Sequence, residues 1–194
     1  KINMIWTKKL WTLIILLISI LNFSQEKLTP KVDERVEIVS TVFRLAGAEE
    51  YSQDYNKKYV ADINTYFDAY KNSEVVEFIK QNRNKNGLGR DAVMSMALHL
   101  SFKNGKFSQI KEKVNLLDKR WEKVDKKKFI KLLNEFNKDS QADIFFQNHL
   151  EYYNKVAGSF NAILENFNQN WYQNYYGVSS NEKYNLILGF ANGG

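Results

Sequence analysis

The chain has 194 residues, of which 44% are hydrophobic and 26% are charged, and this composition indicates a folded globular protein rather than a disordered one. A single proline and nine glycines argue against a collagen-like chain and against an all-β fold, which needs a turn roughly every 8–12 residues. The sequence contains no cysteine, which excludes disulfide bonds, thiolate metal sites and cysteine nucleophiles within it.

The first 24 residues are typical of a secretory signal peptide. Lys8 and Lys9 precede an apolar run over 10–23, which is shorter than the roughly 20 residues needed to cross a bilayer, and Ser24 supplies a small residue at its end. We expect cleavage after Ser24, a mature chain of residues 25–194, and a secreted or periplasmic location. An uncleaved membrane anchor is the alternative. After cleavage, no stable membrane insertion is expected.

The charge of the mature chain is too small to predict a nucleic-acid partner. The full sequence has a net charge of +6, and residues 1–24 hold three lysines and no acidic residue, so the remainder has a net charge of +3. A nucleic-acid-binding domain usually carries a clustered basic face. The lysine-dense stretch 119–131 also holds acidic residues, and we interpret it as a solvated helix face.

The spacing of apolar residues predicts amphipathic helices along most of the mature chain. The predicted helices cover 31–46, 57–71, 73–83, 92–102, 108–124, a segment beginning at Asp125, and 140–167, the last continuing through Trp171. Gly47 is expected to end the first helix, 84–89 is expected to be a loop, and Asn104 with Gly105 is expected to form a turn. From Phe146 to Trp171 the apolar spacing alternates between four and three residues, which predicts a long helix packed along a partner helix.

Near the C-terminus the pattern changes to that of a strand. A turn is expected at 176–181, and the apolar run over 184–191 predicts a short, buried or half-buried β-strand. A lone strand would leave its backbone N–H and C=O groups unpaired, so we expect a sheet, and a natural chain, that continue beyond Gly194. The predicted fold class is mainly α, with about six or seven amphipathic helices and one short β-strand that starts a sheet.

No motif in the sequence predicts a catalytic residue or a metal ligand. The His-Glu-x-x-His pattern of zinc peptidases is absent, and His99 and His149 are each expected to have a structural role. A Gly-x-Ser-x-Gly nucleophile turn is also absent. Paired carboxylates such as Glu34 and Glu37 are expected on solvated helix faces.

Aromatic residues are dense in the last third of the chain. Those that follow the helical spacing are expected in the core. The cluster just before the predicted turn is open to a second interpretation, in which exposed rings, including Trp171 and Tyr175, line a cleft and stack on sugar rings or apolar peptide side chains. This interpretation predicts a peptide or a glycan as the partner.

Three stretches together resemble a family of exported bacterial proteins known as domain of unknown function 4932. They are Val32–Gly47, Asp91–Met94, and the series 171–177, 186–189 and 192–194. The resemblance implies kinship with zinc metallopeptidases in which a helical N-terminal part leads into a small sheet and a His-Glu-x-x-His helix follows the first strands. The zinc helix would then lie beyond Gly194, so no cofactor is expected in this chain and zinc is expected in the full-length protein.

The same resemblance implies a role for the residues after the predicted strand. In such metallopeptidases a strand beside the zinc helix pairs with the substrate backbone, a form of β-augmentation. Asn192 and Gly193 would lie near that edge and are the predicted substrate-binding residues. The predicted function is therefore the N-terminal helical segment of an exported zinc metallopeptidase-like hydrolase. The alternative is an exported, non-enzymatic helical module that binds peptide or glycan through aromatic residues.

Overall fold

Helices dominate the fold, as the apolar spacing predicts. The computed structural model of the chain describes residues 28–111, 116–168, 171, 174, 175, 177 and 185–192. The helices are α1 (Glu34–Leu45), α2 (Lys57–Phe67), α3 (Glu74–Asn86), α4 (Asp91–Leu98), α5 (Lys126–Ser140), α6 (Ala142–Asn148), α7 (Leu150–Ser159) and α8 (Asn161–Glu165). Short 3-10 turns cover 49–51, 68–70 and 119–121. Within the described ranges, no helix combines the length and the apolar character needed to cross a lipid bilayer.

Helix α1 lies at the centre of the molecule. Every residue from Val36 to Phe43 is buried, and the helix packs against α3, α4 and the hairpin described below. Its start is fixed by Asp33, whose carboxylate accepts a hydrogen bond from the Arg35 backbone N–H at 3.0 Å. Gly47, at φ +75°, lies just beyond its end, as predicted. A helix buried on all sides has no solvated face, which is why its polar residues lie in the core.

The remaining helices surround α1 through a continuous aromatic core. Phe67 on α2 packs against Phe136 on α5 and Phe145 on α6, with ring centroids 5.7 and 5.1 Å apart. Trp121 is fully buried and donates a hydrogen bond from Nε1 to the Ala92 carbonyl at 2.7 Å. The core therefore extends from the 3-10 turn before α5 to the C-terminal helices without a break.

A small parallel sheet joins the two ends of the described chain. Strand β1 (Lys31–Val32) pairs with β4 (Ile187–Leu188), with Lys31 opposite Ile187 and Val32 opposite Leu188. The strand predicted at 184–191 is thus present but two residues long, and its partner is β1. The premise that this strand would otherwise be unpaired was therefore wrong. Lys31 and Val32 were predicted to begin the first helix, and this was wrong because Asp33 caps the helix two residues later.

A β-hairpin replaces parts of two predicted helices. Strands β2 (Leu100–Lys103) and β3 (Lys106–Gln109) pair in antiparallel register around Asn104 and Gly105. Both turn residues have positive φ, 51° and 72°, the conformation that a tight two-residue hairpin turn requires. The turn was predicted correctly, whereas the helices over 92–102 and 108–124 were wrong in this region. Residues 112–115 of the latter lie outside the described residues.

The long helix predicted from residue 140 is divided into several pieces. Gln141, at φ +51°, ends α5, and His149 and Phe160 separate the helices that follow. Leu150 and Phe167, two members of the predicted stripe, are 55% and 44% exposed. The stripe is therefore not packed along one partner helix, because the breaks rotate successive pieces away from a common face.

We predict that Gln141→Gly stabilises the protein. A non-glycine residue in the left-handed region costs about 1 kcal/mol or more, which glycine does not pay. The free energy of unfolding, measured by urea denaturation, should rise by about 1 kcal/mol. The matched control is Lys138→Gly inside α5, which should lower the free energy of unfolding by about 1 kcal/mol. A loss of stability in Gln141→Gly would contradict the prediction.

Candidate functional site at the C-terminal strand

A buried carboxylate holds the residues that follow β4. Glu37 is fully buried in the middle of α1, so the expectation that it is solvated was wrong. Its Oε1 accepts the Phe190 backbone N–H at 2.7 Å, and its Oε2 accepts the Ala191 N–H at 3.2 Å. One side chain therefore satisfies two successive backbone donors of residues 186–192, called here the docked segment.

A pair of tyrosine hydroxyls continues this hydrogen-bonded network. Tyr59 donates its hydroxyl to Glu37 Oε2 at 2.7 Å, and the Tyr153 hydroxyl lies 2.5 Å from that of Tyr59. Since Tyr59 uses its hydrogen on Glu37, Tyr153 is the donor in the second bond while Glu37 is ionised. When Glu37 is protonated, both tyrosine hydrogens can reverse, so that the carboxyl group donates to Tyr59.

Burial controls the protonation of all three groups. It raises the pKa of Glu37 to about 7, although the hydrogen bonds from Phe190, Tyr59 and Ala191 favour the ionised form and oppose the rise. Burial, followed by the negative charge of Glu37, also raises the pKa of Tyr59 and that of Tyr153. Both tyrosines therefore remain neutral hydroxyl donors near neutral pH.

Apolar contacts fix the docked segment as well. The Phe190 ring packs against Tyr59, Tyr152 and Tyr153, with centroid distances of 5.5, 5.3 and 5.3 Å, and Ala191 is 3% exposed. Phe190 is half-buried, so its contribution to stability is smaller than the roughly 1.5–3 kcal/mol of a fully buried phenylalanine. The segment is thus held by main-chain donors and by one aromatic side chain.

A cavity of about 330 Å³ lies beside this network. It is lined in part by Lys58, Asp62, His149 and Tyr152. His149 Nδ1 lies 2.8 Å from the Phe145 carbonyl and Nε2 lies 3.1 Å from Asp62 Oδ2, so both ring nitrogens face an oxygen acceptor. These two contacts fix the orientation of the His149 ring and leave neither ring nitrogen available to bind a metal ion. In the described part of the chain, no group of three or more His, Asp and Glu side chains is placed to hold a metal ion.

The predicted substrate-binding residues are found in different settings. Asn192 directly follows Phe190 and Ala191, whose N–H groups bind Glu37. It lines a second cavity, of about 250 Å³, together with Gln53 and Arg90. The turn that brings it there needs a glycine at position 189, since an added Cβ would lie 2.5 Å from the Asn192 Cβ. Gly193 lies outside the described residues.

The predicted aromatic residues Trp171 and Tyr175 are exposed to solvent. Their rings stack on each other with centroids 5.2 Å apart and an interplanar angle of 14°, and they are 59% and 69% exposed. The structure does not bury them in the core.

Sequence reasoning missed the two residues that define this region, Glu37 and Arg90. For Glu37 a signal exists, because it is the only charged residue in the run 36–43. Such a run is too apolar for a helix with a solvated face. The unusual backbone of Arg90, described below, has no comparable signature in the sequence.

A family model described as domain of unknown function (DUF4932) matches residues 28–193, which covers most of the chain. The chain belongs to this family. The region matched in this DUF4932 protein includes β1, Glu37 and the docked segment. No curated protein and no solved structure matches the chain.

We predict that Glu37→Gln removes a pH dependence of stability. Because the pKa of Glu37 is raised to about 7 by folding, its contribution is fully present below pH 4.5 and is lost as the pH rises through 7. That loss amounts to about 3 kcal/mol in the free energy of unfolding. The variant should lack this decline when urea denaturation is repeated between pH 4.5 and 8.

Hydrogen exchange supplies a second readout of the same substitution. A glutamine at position 37 has one oxygen and one NH2 group where Glu37 has two oxygens. In one orientation the NH2 group faces the Phe190 N–H, and in the other it faces the Ala191 N–H and the Tyr59 hydroxyl. A backbone donor loses its acceptor in both cases. The amides of residues 190 and 191 should therefore exchange faster. Glu77→Gln, an exposed substitution on α3, is the control. Parallel pH profiles for wild type and Glu37→Gln would contradict the prediction.

Proposed function

We propose that this DUF4932 chain is the N-terminal helical segment of an exported zinc metallopeptidase-like hydrolase, with the catalytic zinc motif beyond residue 194. The observation that supports the proposal is the sheet: within the described residues it has two strands, so β4 has one edge without a neighbouring strand. An open strand edge can accept another strand or an extended peptide. The resemblance to zinc metallopeptidases, in which a helical part leads into a small sheet, points the same way.

In this proposal the chain supplies the scaffold of the cleft. The signal peptide over 1–24 directs export, and Glu37 keeps the docked segment, including the open edge of β4, in place. Asn192 and Gly193 are the residues proposed to bind the substrate backbone. In the complete protein, zinc would activate a water molecule for attack on the peptide bond, with a glutamate moving the proton.

The proposal predicts a His-Glu-x-x-His codon series within several dozen codons after Gly194. The full-length protein, purified without added metal, should contain about one zinc ion per chain by elemental analysis. Replacing the first histidine of that series by alanine should remove the metal. The control is Asn192→Ala in the same protein, which should keep the zinc and raise the KM for peptides. A stop codon directly after Gly194, or a full-length protein without zinc, would overturn the proposal.

A second candidate function is favoured by one observation, the exposed ring stack of Trp171 and Tyr175. A stacked pair of exposed rings offers a flat apolar face that a ligand or a partner can cover. In this alternative the protein is an exported, non-enzymatic module that binds peptide or glycan. Sugar rings and apolar side chains both stack on such faces.

The second candidate predicts that Trp171→Ala weakens ligand binding without loss of stability. Cellohexaose and a phenylalanine-rich peptide are suitable probes, with binding measured by calorimetry. For whichever probe binds wild type, the affinity should fall about tenfold or more, since a large stacking surface is removed. The control is Tyr55→Ala, because Tyr55 is 81% exposed at another place in the chain. Failure of both probes to bind wild type, or equal affinities for wild type and Trp171→Ala, would argue against this function.

A further inference from the structure

The loop between α3 and α4 has a backbone conformation that is unusual for its sequence. Arg90 has φ 50° and ψ −129°, a region that glycine adopts readily and that other residues rarely adopt. Its neighbour Gly89 lies close to Glu50, because an added Cβ would lie 2.5 Å from Glu50 Oε1 and would displace that carboxylate. The chain therefore places an arginine at a position whose backbone favours glycine.

Surrounding side chains bind four polar backbone atoms of this loop. Glu50 Oε1 accepts the Arg90 N–H at 3.1 Å, and the Tyr51 hydroxyl donates to the Arg90 carbonyl at 2.9 Å. The preceding carbonyls of Leu88 and Gly89 are also bonded. They accept from Arg83 Nη1 at 3.1 Å and from Arg120 Nη1 at 3.2 Å, respectively. Strain persists in a fold only where the surroundings impose it, and such positions cluster at functional sites.

The charges around Arg90 are already paired, except its own. Glu50 forms an ion pair with Arg83 at 2.7 Å, and Asp91 forms one with Arg120 at 2.6 Å. Burial alone would raise the pKa of Glu50, but the hydrogen bonds from Arg83 and from the Arg90 N–H outweigh the effect of burial. The pKa of Glu50 is therefore below its usual value, and the carboxylate stays ionised within its pair. Among the described residues, the exposed Arg90 guanidinium makes no hydrogen bond or ion pair.

Arg90 lines a cavity of about 250 Å³ together with Gln53 and Asn192. The carboxylates of Glu50 and Asp91 line the same cavity, and each is neutralised by its own ion pair with Arg83 or Arg120. The guanidinium offers a planar pair of N–H donors, which matches the two oxygens of a carboxylate. Each of the two amide side chains can add a neutral donor. A single unpaired positive charge suits a monoanion better than a phosphate dianion, whose second charge would face the carboxylates of Glu50 and Asp91.

We propose that the cavity between Arg90, Gln53 and Asn192 is a binding site for a carboxylate group, such as that of a small organic acid or of a peptide C-terminus. Arg90 binds the two oxygens, and the amides of Gln53 and Asn192 complete the donor set. The docked segment completes the site, because it carries Asn192. The site requires neither zinc nor hydrolysis, so it stands or falls separately from the proposed function.

The test uses the whole chain and small probes of matched shape. N-acetylglycine carries the carboxylate of a peptide C-terminus, N-acetylglycinamide lacks it, and inorganic phosphate is a different anion. In NMR titrations of 15N-labelled protein, N-acetylglycine should shift the Arg90 Nε–H signal and the side-chain amides of Gln53 and Asn192 in a saturable way. Propionate, a monoanion, tests a small organic acid, and its binding in place of N-acetylglycine would assign the site to that source. Equal shifts with N-acetylglycinamide, or equal affinity for phosphate, would overturn the carboxylate assignment.

Variants separate binding from charge and from folding. Arg90→Gln should weaken N-acetylglycine binding at least about tenfold. Lys71→Gln, which removes one exposed positive charge elsewhere, should leave it unchanged. Arg90→Gly should abolish binding and yet raise the midpoint of thermal unfolding by about 2–4 °C, because glycine relieves the strain. Retained binding in Arg90→Gln, or a lower midpoint in Arg90→Gly, would contradict the proposal.

Discussion

The bonds between the Glu37 carboxylate and the backbone N–H groups of Phe190 and Ala191 connect the two ends of the described chain. A buried charge is costly unless it is fully hydrogen-bonded, and a buried backbone N–H is costly if left unpaired. Each group therefore reduces a penalty that the other would otherwise suffer. The two-residue pairing of β1 with β4 is too short to be stable by itself, so it depends on this contact.

The apolar spacing predicted helices well where one face is buried and poorly where that condition fails. It placed α2 and α5 closely, and Asp125 caps α5 as expected. It could not foresee that α1 is buried on all sides, and so it assigned Glu37 to solvent. A strand of two residues such as β1 is too short to show a periodicity. Its conformation is set by a partner 156 positions away, since Lys31 lies opposite Ile187.

The hairpin and the broken C-terminal helices show a second limit. Asn104 and Gly105 predicted the turn, since that pair adopts positive φ at low cost, but the short apolar segments on either side fit a helix as well as a strand. The breaks at Gln141 and His149 carry no proline or glycine, so local propensity gave no warning. Of the candidate site, the sequence predicted Asn192 through a family resemblance, whereas Arg90 could be recognised only from its φ and ψ.

Two placements in this fold are unfavourable for stability, and both lie around the docked segment. Glu37 is a carboxylate in the core, and Arg90 is an arginine in a backbone region that favours glycine. A buried carboxylate and a strained backbone each cost free energy, although the bonds of Glu37 also hold the docked segment. They are connected through the segment itself: Glu37 captures residues 190 and 191, and the next residue, Asn192, lines the same cavity as Arg90. Glu37 thus affects the cavity indirectly, because its bonds to residues 190 and 191 fix the position of Asn192.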